Sequence, residues 1–169
     1  MSDLRDIADR NIAAERDKLT AVLPQQLEAA KRKQAAKGAL HSGNTAALLR
    51  DLCVAPIEAL GPHVIEQYKW TASTALFLTQ TYATSLAAAA DSQIAPLSDI
   101  CAGQLSSQLQ ALGMANLSQE LMPSLDAKRQ EILTDVRIEL DRAFAERRRD
   151  AIRNLAIGIG NVIGKWAGK

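Results

Sequence analysis

The sequence predicts an all-α protein, an elongated multi-helix bundle with long helices that is expected to be oligomeric. Two features of the composition predict this fold class. Of the 169 residues, 47% are hydrophobic and only 4% are aromatic; alanine and leucine supply most of the apolar content, and both lose little side-chain entropy in a helix. Runs that alternate valine, isoleucine, threonine and aromatic residues, typical of strands, do not occur in the sequence. A chain of this length is most simply one domain.

The first helix is predicted from apolar residues that recur three and four positions apart over residues 4–23, which places them on one helix face. Pro24 lacks an N–H and clashes with the preceding turn, so we expect the helix to kink or restart there. Residues 38–44 contain two glycines and end in a His-Ser-Gly-Asn turn. Asn44 or Thr45 is then expected to cap the second helix.

Further kinks or breaks are predicted where proline or turn-forming residues interrupt the apolar pattern, at 56–62, 91–96 and 113–123. Between the first two of these, a long helix is expected to run from Pro62 to about Ala90. The predicted organisation is therefore a helical bundle over residues 1–150, followed by a glycine-spaced amphipathic helix or tail over residues 151–169.

The middle of the chain is nearly free of charge. Between Trp70 and Gln119 only Asp91 and Asp99 are charged. Helices that are uncharged all round are usually buried, so this segment is predicted to be a helical hairpin packed within the protein or its oligomer. The alternative is a hairpin that inserts conditionally into a membrane, for which the length suffices. The threonines and serines between Trp70 and Ala90 make that segment polar for insertion.

The C-terminus carries glycines at a spacing of four. Gly160, Gly164 and Gly168 form a repeated G-x-x-x-G, and Gly158 lies close by. A glycine inside a soluble helix costs about 1 kcal/mol relative to alanine, so the spacing favours a close approach between helix backbones. A self-association or membrane-contact segment is predicted; the alternative is a frayed tail or a helix end packed on its own bundle. The predicted contact residues are Gly158, Ile159, Gly160, Val162, Gly164, Trp166 and Gly168.

A basic run precedes this segment. Arg147, Arg148 and Arg149 are followed by Arg153, and such a cluster is predicted to contact the phosphates of anionic lipid or of nucleic acid. The alternative is a solvated helix face. Because no aromatic residues interleave with the cluster to stack on bases, and the net charge of the chain is only +1, any contact with nucleic acid is expected to be nonspecific.

The residues that usually build an active site form no catalytic pattern. His41 and His63 belong to no zinc or di-iron motif, and the sequence has no P-loop, G-x-G-x-x-G or G-x-S-x-G motif. Cys53 and Cys101 lack C-x-x-C spacing and are expected to be small buried hydrophobic residues. We therefore predict a protein that is not an enzyme and holds neither cofactor nor metal. The charged N-terminus differs from a secretory signal, which predicts synthesis in a cytoplasm.

Residues 35–45, Ala-Ala-Lys-Gly-Ala-Leu-His-Ser-Gly-Asn-Thr, resemble a segment common in helical virion and DNA-ejection proteins of tailed bacteriophages. In those proteins a Gly-Ala-Leu-x-Ser-Gly run joins two long helices. The resemblance covers these eleven residues. It implies a protein that is packaged with other virion proteins and later released to oligomerise in or across an envelope.

Taken together, these patterns predict a structural or assembly protein that associates with copies of itself. The low-charge hairpin and the glycine-spaced C-terminal helix are expected to supply the contacts, and a membrane surface is a second expected partner. The specific role that fits the resemblance is that of a phage virion or DNA-ejection component. Two alternatives stay open: a soluble helical adaptor or regulator that binds a partner protein, and a small pore-forming or toxin-like protein.

Overall fold

The computed structural model of the chain describes the backbone of residues 2–75 and 79–167 and, within these, the side chains of residues 4–75, 79–151 and 153. No strand occurs among the described residues, so the predicted all-α fold class is confirmed. The helices are α1 (Ser2–Ala36), α2 (Gly43–Thr74), α3 (Gln80–Ala111) and α4 (Ser118–Ala167), with a single 3-10 turn at Ala115–Leu117.

The connections after α1 and α3 each have a glycine as their second residue. Gly38 has φ of +69° and Gly113 has φ of +70°, a left-handed conformation that glycine adopts without strain. After Gly113, the N–H of Met114 donates to the carbonyl of Leu109 at 2.8 Å, which is the closing bond of a Schellman cap. α2 then starts from Ser42, whose side chain accepts from the N–H of Thr45. The expected cap at Asn44 or Thr45 was therefore wrong by two or three residues.

The prolines lie inside the helices instead of ending them. The breaks predicted at Pro24, 56–62 and 91–96 do not occur, because the helices run through these positions, and the kinks stay a prediction. A proline disfavours a helix interior by about 3 kcal/mol, because it removes a hydrogen bond and crowds the preceding turn. Burial of the apolar face on both sides of the proline offsets this cost. In α2, Pro56 is itself buried, next to Ile57.

One chain reversal has no counterpart in the prediction. The expected helix from Pro62 to Ala90 is divided, because α2 ends at Thr74 and α3 begins at Gln80. The side chain of Thr79 caps α3 by accepting from the N–H of Tyr82 at 3.1 Å. A threonine within an apolar pattern fits a helix interior or an N-cap, so the sequence did not distinguish the two.

The central helix of the fold is α2, because it packs extensively against all three others. α3 and α4 also pack against each other, so α2, α3 and α4 form a three-helix core. α1 lies against α2 and, over a smaller area, against α3; it has no comparable contact with α4 among the described residues. The short connections turn each helix back along the one before it, and the contacts of Gly61 with Ile132 and of Ala72 with Arg147 show that α2 and α4 run parallel.

The core runs along the length of the bundle. The largest fully buried side chains are Ile12, Leu23, Leu27, Leu49, Ile57, Leu60, Tyr68, Leu86, Ile94, Leu97, Leu105 and Leu109. α4 adds four buried residues spaced so that they lie on one face: Leu125, Ile132, Val136 and Leu140. At about 25 cal/mol per Å² of apolar area removed from water, this core is the main term that favours folding.

The low-charge segment is only half buried. α3 places Leu86, Ile94 and Leu105 in the core, whereas Thr84, Ser107 and other uncharged residues on its opposite side are exposed. Packing within the chain therefore explains the absence of charge on the buried face of α3. It does not explain the absence of charge on the exposed face. Among the described residues, no helix combines the length and the apolar character needed to cross a membrane.

Candidate interaction surfaces

A groove runs between α2 and α4 on the outside of the bundle. It consists of two adjoining depressions of about 560 and 450 Å³ that share Lys69. Residues 62–73 of α2 form one wall and residues 135–150 of α4 form the other. The α4 residues of the groove recur at intervals of three and four, so they form a single stripe along that helix.

The position of α1 leaves this groove uncovered. In a four-helix bundle with short loops, the first helix usually lies next to the second and the fourth. Here α1 packs against α2 and α3 instead, which leaves the outer side of the α2–α4 pair without a covering helix among the described residues. We call this surface the α2–α4 groove.

Two of the large apolar side chains exposed on this protein lie in the α2–α4 groove. Ile138 is 49% exposed and Trp70 is 39% exposed, and Ile65, also in the groove, is partly buried. A single exposed apolar residue is ordinary on a protein surface. Two that line one groove, together with Pro62, make an elongated apolar strip that would gain stability from being covered.

The rim of the groove is acidic. Five acidic side chains line it, against the two cations Lys69 and Arg147. Both cations are already engaged: Lys69 donates to Glu139 at 2.7 Å, and Arg147 donates to the carbonyls of Ala72 and Ala75. The hydrogen bond from Lys69 lowers the pKa of Glu139 below its ordinary value, and nearby Arg142 lowers it further.

The remaining four rim acids take part in no ion pair between described side chains. None of Glu66, Asp135, Glu146 and Asp150 has an ion-pair partner among the side chains that the structure describes. All four are exposed. The groove therefore combines an apolar floor with an excess of negative charge.

The predicted basic cluster is divided by the structure. Arg147 turns back onto the end of α2, where it donates to the carbonyl of Ala72 at 2.9 Å. It satisfies carbonyls at a helix C-terminus, where a cation is favoured. Arg148, Arg149 and Arg153 are exposed and so are accessible to an external anion, as the sequence predicted for all four.

All of the predicted glycine-spaced contact lies outside the described side chains. The backbone of α4 continues as helix to Ala167, but the structure does not describe the side chains from 154 onward. That part contains Gly158, Ile159, Gly160, Val162, Gly164 and Trp166, and Gly168 lies beyond the described backbone. The contacts expected of these residues stay predictions.

The histidines and cysteines lie apart from the groove. His41 Nδ1 is 3.0 Å from the carbonyl oxygen of Leu112, so it joins the two loops at one end of the bundle. Cys53 and Cys101 are buried free thiols, and burial raises the pKa of each to about 12, with proximity to Cys53 adding to the effect on Cys101. Such thiols are poor nucleophiles. Among the described residues, no three histidine, cysteine or acidic side chains are grouped for a metal.

A polar contact in the core joins α1 to α2. Tyr68 is fully buried and its hydroxyl donates to Asp9 at 2.7 Å, while Arg5 lies 3.4 Å from the other oxygen of Asp9. Burial raises the pKa of Tyr68, and the hydrogen bond to Asp9 raises it further. The pair satisfies a buried hydroxyl and aligns two helices, so its role is structural.

The comparisons with known proteins add no relative. No family model, no curated protein and no solved structure matches this chain. The sequence analysis did not identify the α2–α4 groove, because its two walls are far apart in the sequence. The one usable signal was Ile138, a single apolar residue between Arg137 and Glu139 on the charged face of a long helix.

Proposed function

We propose that this chain is a non-enzymatic assembly protein that acts as one copy of a homo-oligomer. We call residues 151–169 the C-terminal arm and propose that it carries the contact between copies. The observation that carries the proposal is the length of α4. Among the described side chains, Arg147 is the last in α4 with a hydrogen bond to another helix, yet the helix continues to Ala167, a further 30 Å or so at 1.5 Å per residue.

The chemistry of the arm supports a partner of some kind. From Ala151 onward the chain contains no acidic residue and four glycines within its last dozen residues. Isolated helices of this length are marginal in water, and each interior glycine lowers helix stability by about 1 kcal/mol. A helix with this composition gains stability when another surface covers it, and the G-x-x-x-G spacing allows that surface to come close.

The test is the oligomeric state of the full-length protein, measured by sedimentation equilibrium. We expect a concentration-dependent oligomer that dissociates when Gly160 and Gly164 are both replaced by leucine. The matched control is Gly103→Leu, a single glycine-to-leucine change at an exposed position of α3, where an added Cβ meets nothing within 4 Å. A full-length protein that stays monomeric up to high concentration would refute the proposal.

A second candidate function is contact with an anionic membrane surface. The observation in its favour is that Arg148 and Arg149, immediately before the arm, and Arg153, near its start, are exposed, which is the arrangement of a basic, interfacial helix. Flotation of the full-length protein with anionic liposomes tests it, with the variant in which these three arginines are glutamine as the comparison. Flotation that the variant loses favours membrane contact. The virion and ejection role stays a prediction from the resemblance.

A further inference from the structure

We infer that the α2–α4 groove receives the C-terminal arm of a second copy of this chain, so that two copies exchange arms about a twofold axis. This inference rests on the proposed self-association and adds the surface on which the arm docks. Three observations carry it: the arm is excluded from its own groove, its charge complements the rim, and its length equals that of the groove.

The arm of the same molecule is excluded from the groove by the continuity of α4. Residues 135–150 of that helix form one wall of the groove, and the helix runs unbroken to Ala167. The arm therefore points along the axis of the wall and away from the groove. While α4 stays intact, only the arm of another molecule can lie along the groove between α2 and α4.

The charges of the arm and the groove are opposite. The arm carries Arg153, Lys165 and Lys169 and no acidic residue. The groove carries five acidic side chains and two cations, both engaged within the fold. Opposite charge along a shared surface selects a partner and sets its orientation. The apolar residues of the arm would at the same time cover the exposed Ile138 and Trp70.

The lengths also agree. At 1.5 Å per residue, the wall from 135 to 150 is about 24 Å long and the helical part of the arm, 151–167, is about 25 Å long. In an antiparallel pair with its twofold axis near Asp150, Lys165 of one copy stands at the level of Asp135 of the other. By the same rule Val162 stands at the level of Ile138. An isologous contact of this kind is self-complementary and closes at two copies.

The test uses three full-length variants in sedimentation experiments. The groove variant carries Asp135→Lys and Glu146→Lys, and the arm variant carries Arg153→Glu and Lys165→Glu. Each variant alone places like charges in both arm–groove contacts of the dimer. We therefore expect each variant to weaken dimerisation by about tenfold or more. The third variant combines all four changes in one chain. It restores opposite charge in both contacts and is expected to dimerise as the unmodified protein does.

Mixing two of the variants gives an independent second test. The groove variant and the arm variant, each weak alone, are expected to form a heterodimer when combined, because both of its contacts join opposite charges. The control is Asp99→Lys with Asp126→Lys, two exposed positions outside the groove, which changes the net charge of the chain as the groove variant does. This control is expected to leave dimerisation unchanged. Circular dichroism checks that every variant is folded.

Failure of this inference differs from failure of the proposed function. A full-length protein that is oligomeric, responds to the arm variant and ignores the groove variant would overturn the groove as the docking surface and leave self-association standing. Absence of rescue in the four-fold variant and in the mixture would overturn it in the same way. A monomeric full-length protein would remove the proposed function and, with it, the inference.

Discussion

The contact between α2 and α4 is tight at Gly61, and this makes a measurable prediction. Gly61 is a buried helical residue of α2. A Cβ added there would lie 3.1 Å from both Cγ1 and Cγ2 of Ile132 and 3.3 Å from its Cδ1. Gly103 in α3 is the matched position, because a Cβ added there meets nothing within 4 Å. The same substitution, glycine to alanine, therefore isolates the effect of the contact.

The expected magnitudes follow from two opposing terms. Alanine in place of glycine favours a helix interior by about 1 kcal/mol, and Gly103→Ala should show most of this gain. At Gly61 the gain is opposed by overpacking, which costs about 1–3 kcal/mol. Rotation about χ1 does not relieve the contact, because both Cγ atoms of Ile132 branch from Cβ and helices strongly prefer one rotamer. We expect Gly61→Ala to lower the free energy of unfolding by about 1 kcal/mol.

The assay is thermal and urea-induced unfolding of the two variants alongside the unmodified protein. For a chain of this size, 1 kcal/mol corresponds to about 2–4 °C in Tm, so the two alanine variants should move Tm in opposite directions. In a background of Ile132→Ala, the contact is gone and Gly61→Ala should stabilise as Gly103→Ala does. The double-mutant cycle then gives a coupling of about 1–3 kcal/mol.

One result would refute this reasoning. If Gly61→Ala raises Tm by as much as Gly103→Ala in the presence of Ile132, then α2 and α4 are not packed as closely as the structure has them. The α2–α4 groove, whose walls are the same two helices, would then need a different geometry.

Two further predictions concern the core and the end of α2. Cys53 and Cys101 should resist alkylation in the folded protein at pH 8 and react on unfolding, as judged by mass spectrometry. Since burial raises both thiol pKa values from 9.0 to about 12, thiolate is favoured in the unfolded chain, and stability should fall as the pH rises above 9. Arg147→Gln should lower the free energy of unfolding by about 1–2 kcal/mol because two carbonyls at the end of α2 lose a charged donor, whereas the exposed Arg148→Gln should stay within about 0.5 kcal/mol in the same urea titration.

The sequence by itself determined the fold class and the ends of α1 and α3. Helix propensity and the spacing of apolar residues depend on the local sequence. They therefore predict helices without knowledge of how those helices pack against one another. The left-handed glycines at 38 and 113 are local in the same sense, because only the backbone conformation of one residue decides where those helices end.

Tertiary structure decided the rest. The prolines at 56 and 62 do not interrupt α2, because burial on both sides outweighs a local preference for a break. The end of α2 at Thr74 and the start of α3 at Gln80 have no local mark, because no turn-forming glycine or proline occurs within 71–84. The docking groove depends on the side of α2 to which α1 packs, a choice made between helices far apart in sequence. Such choices depend on the sum of many weak contacts, and a single sequence pattern does not show that sum.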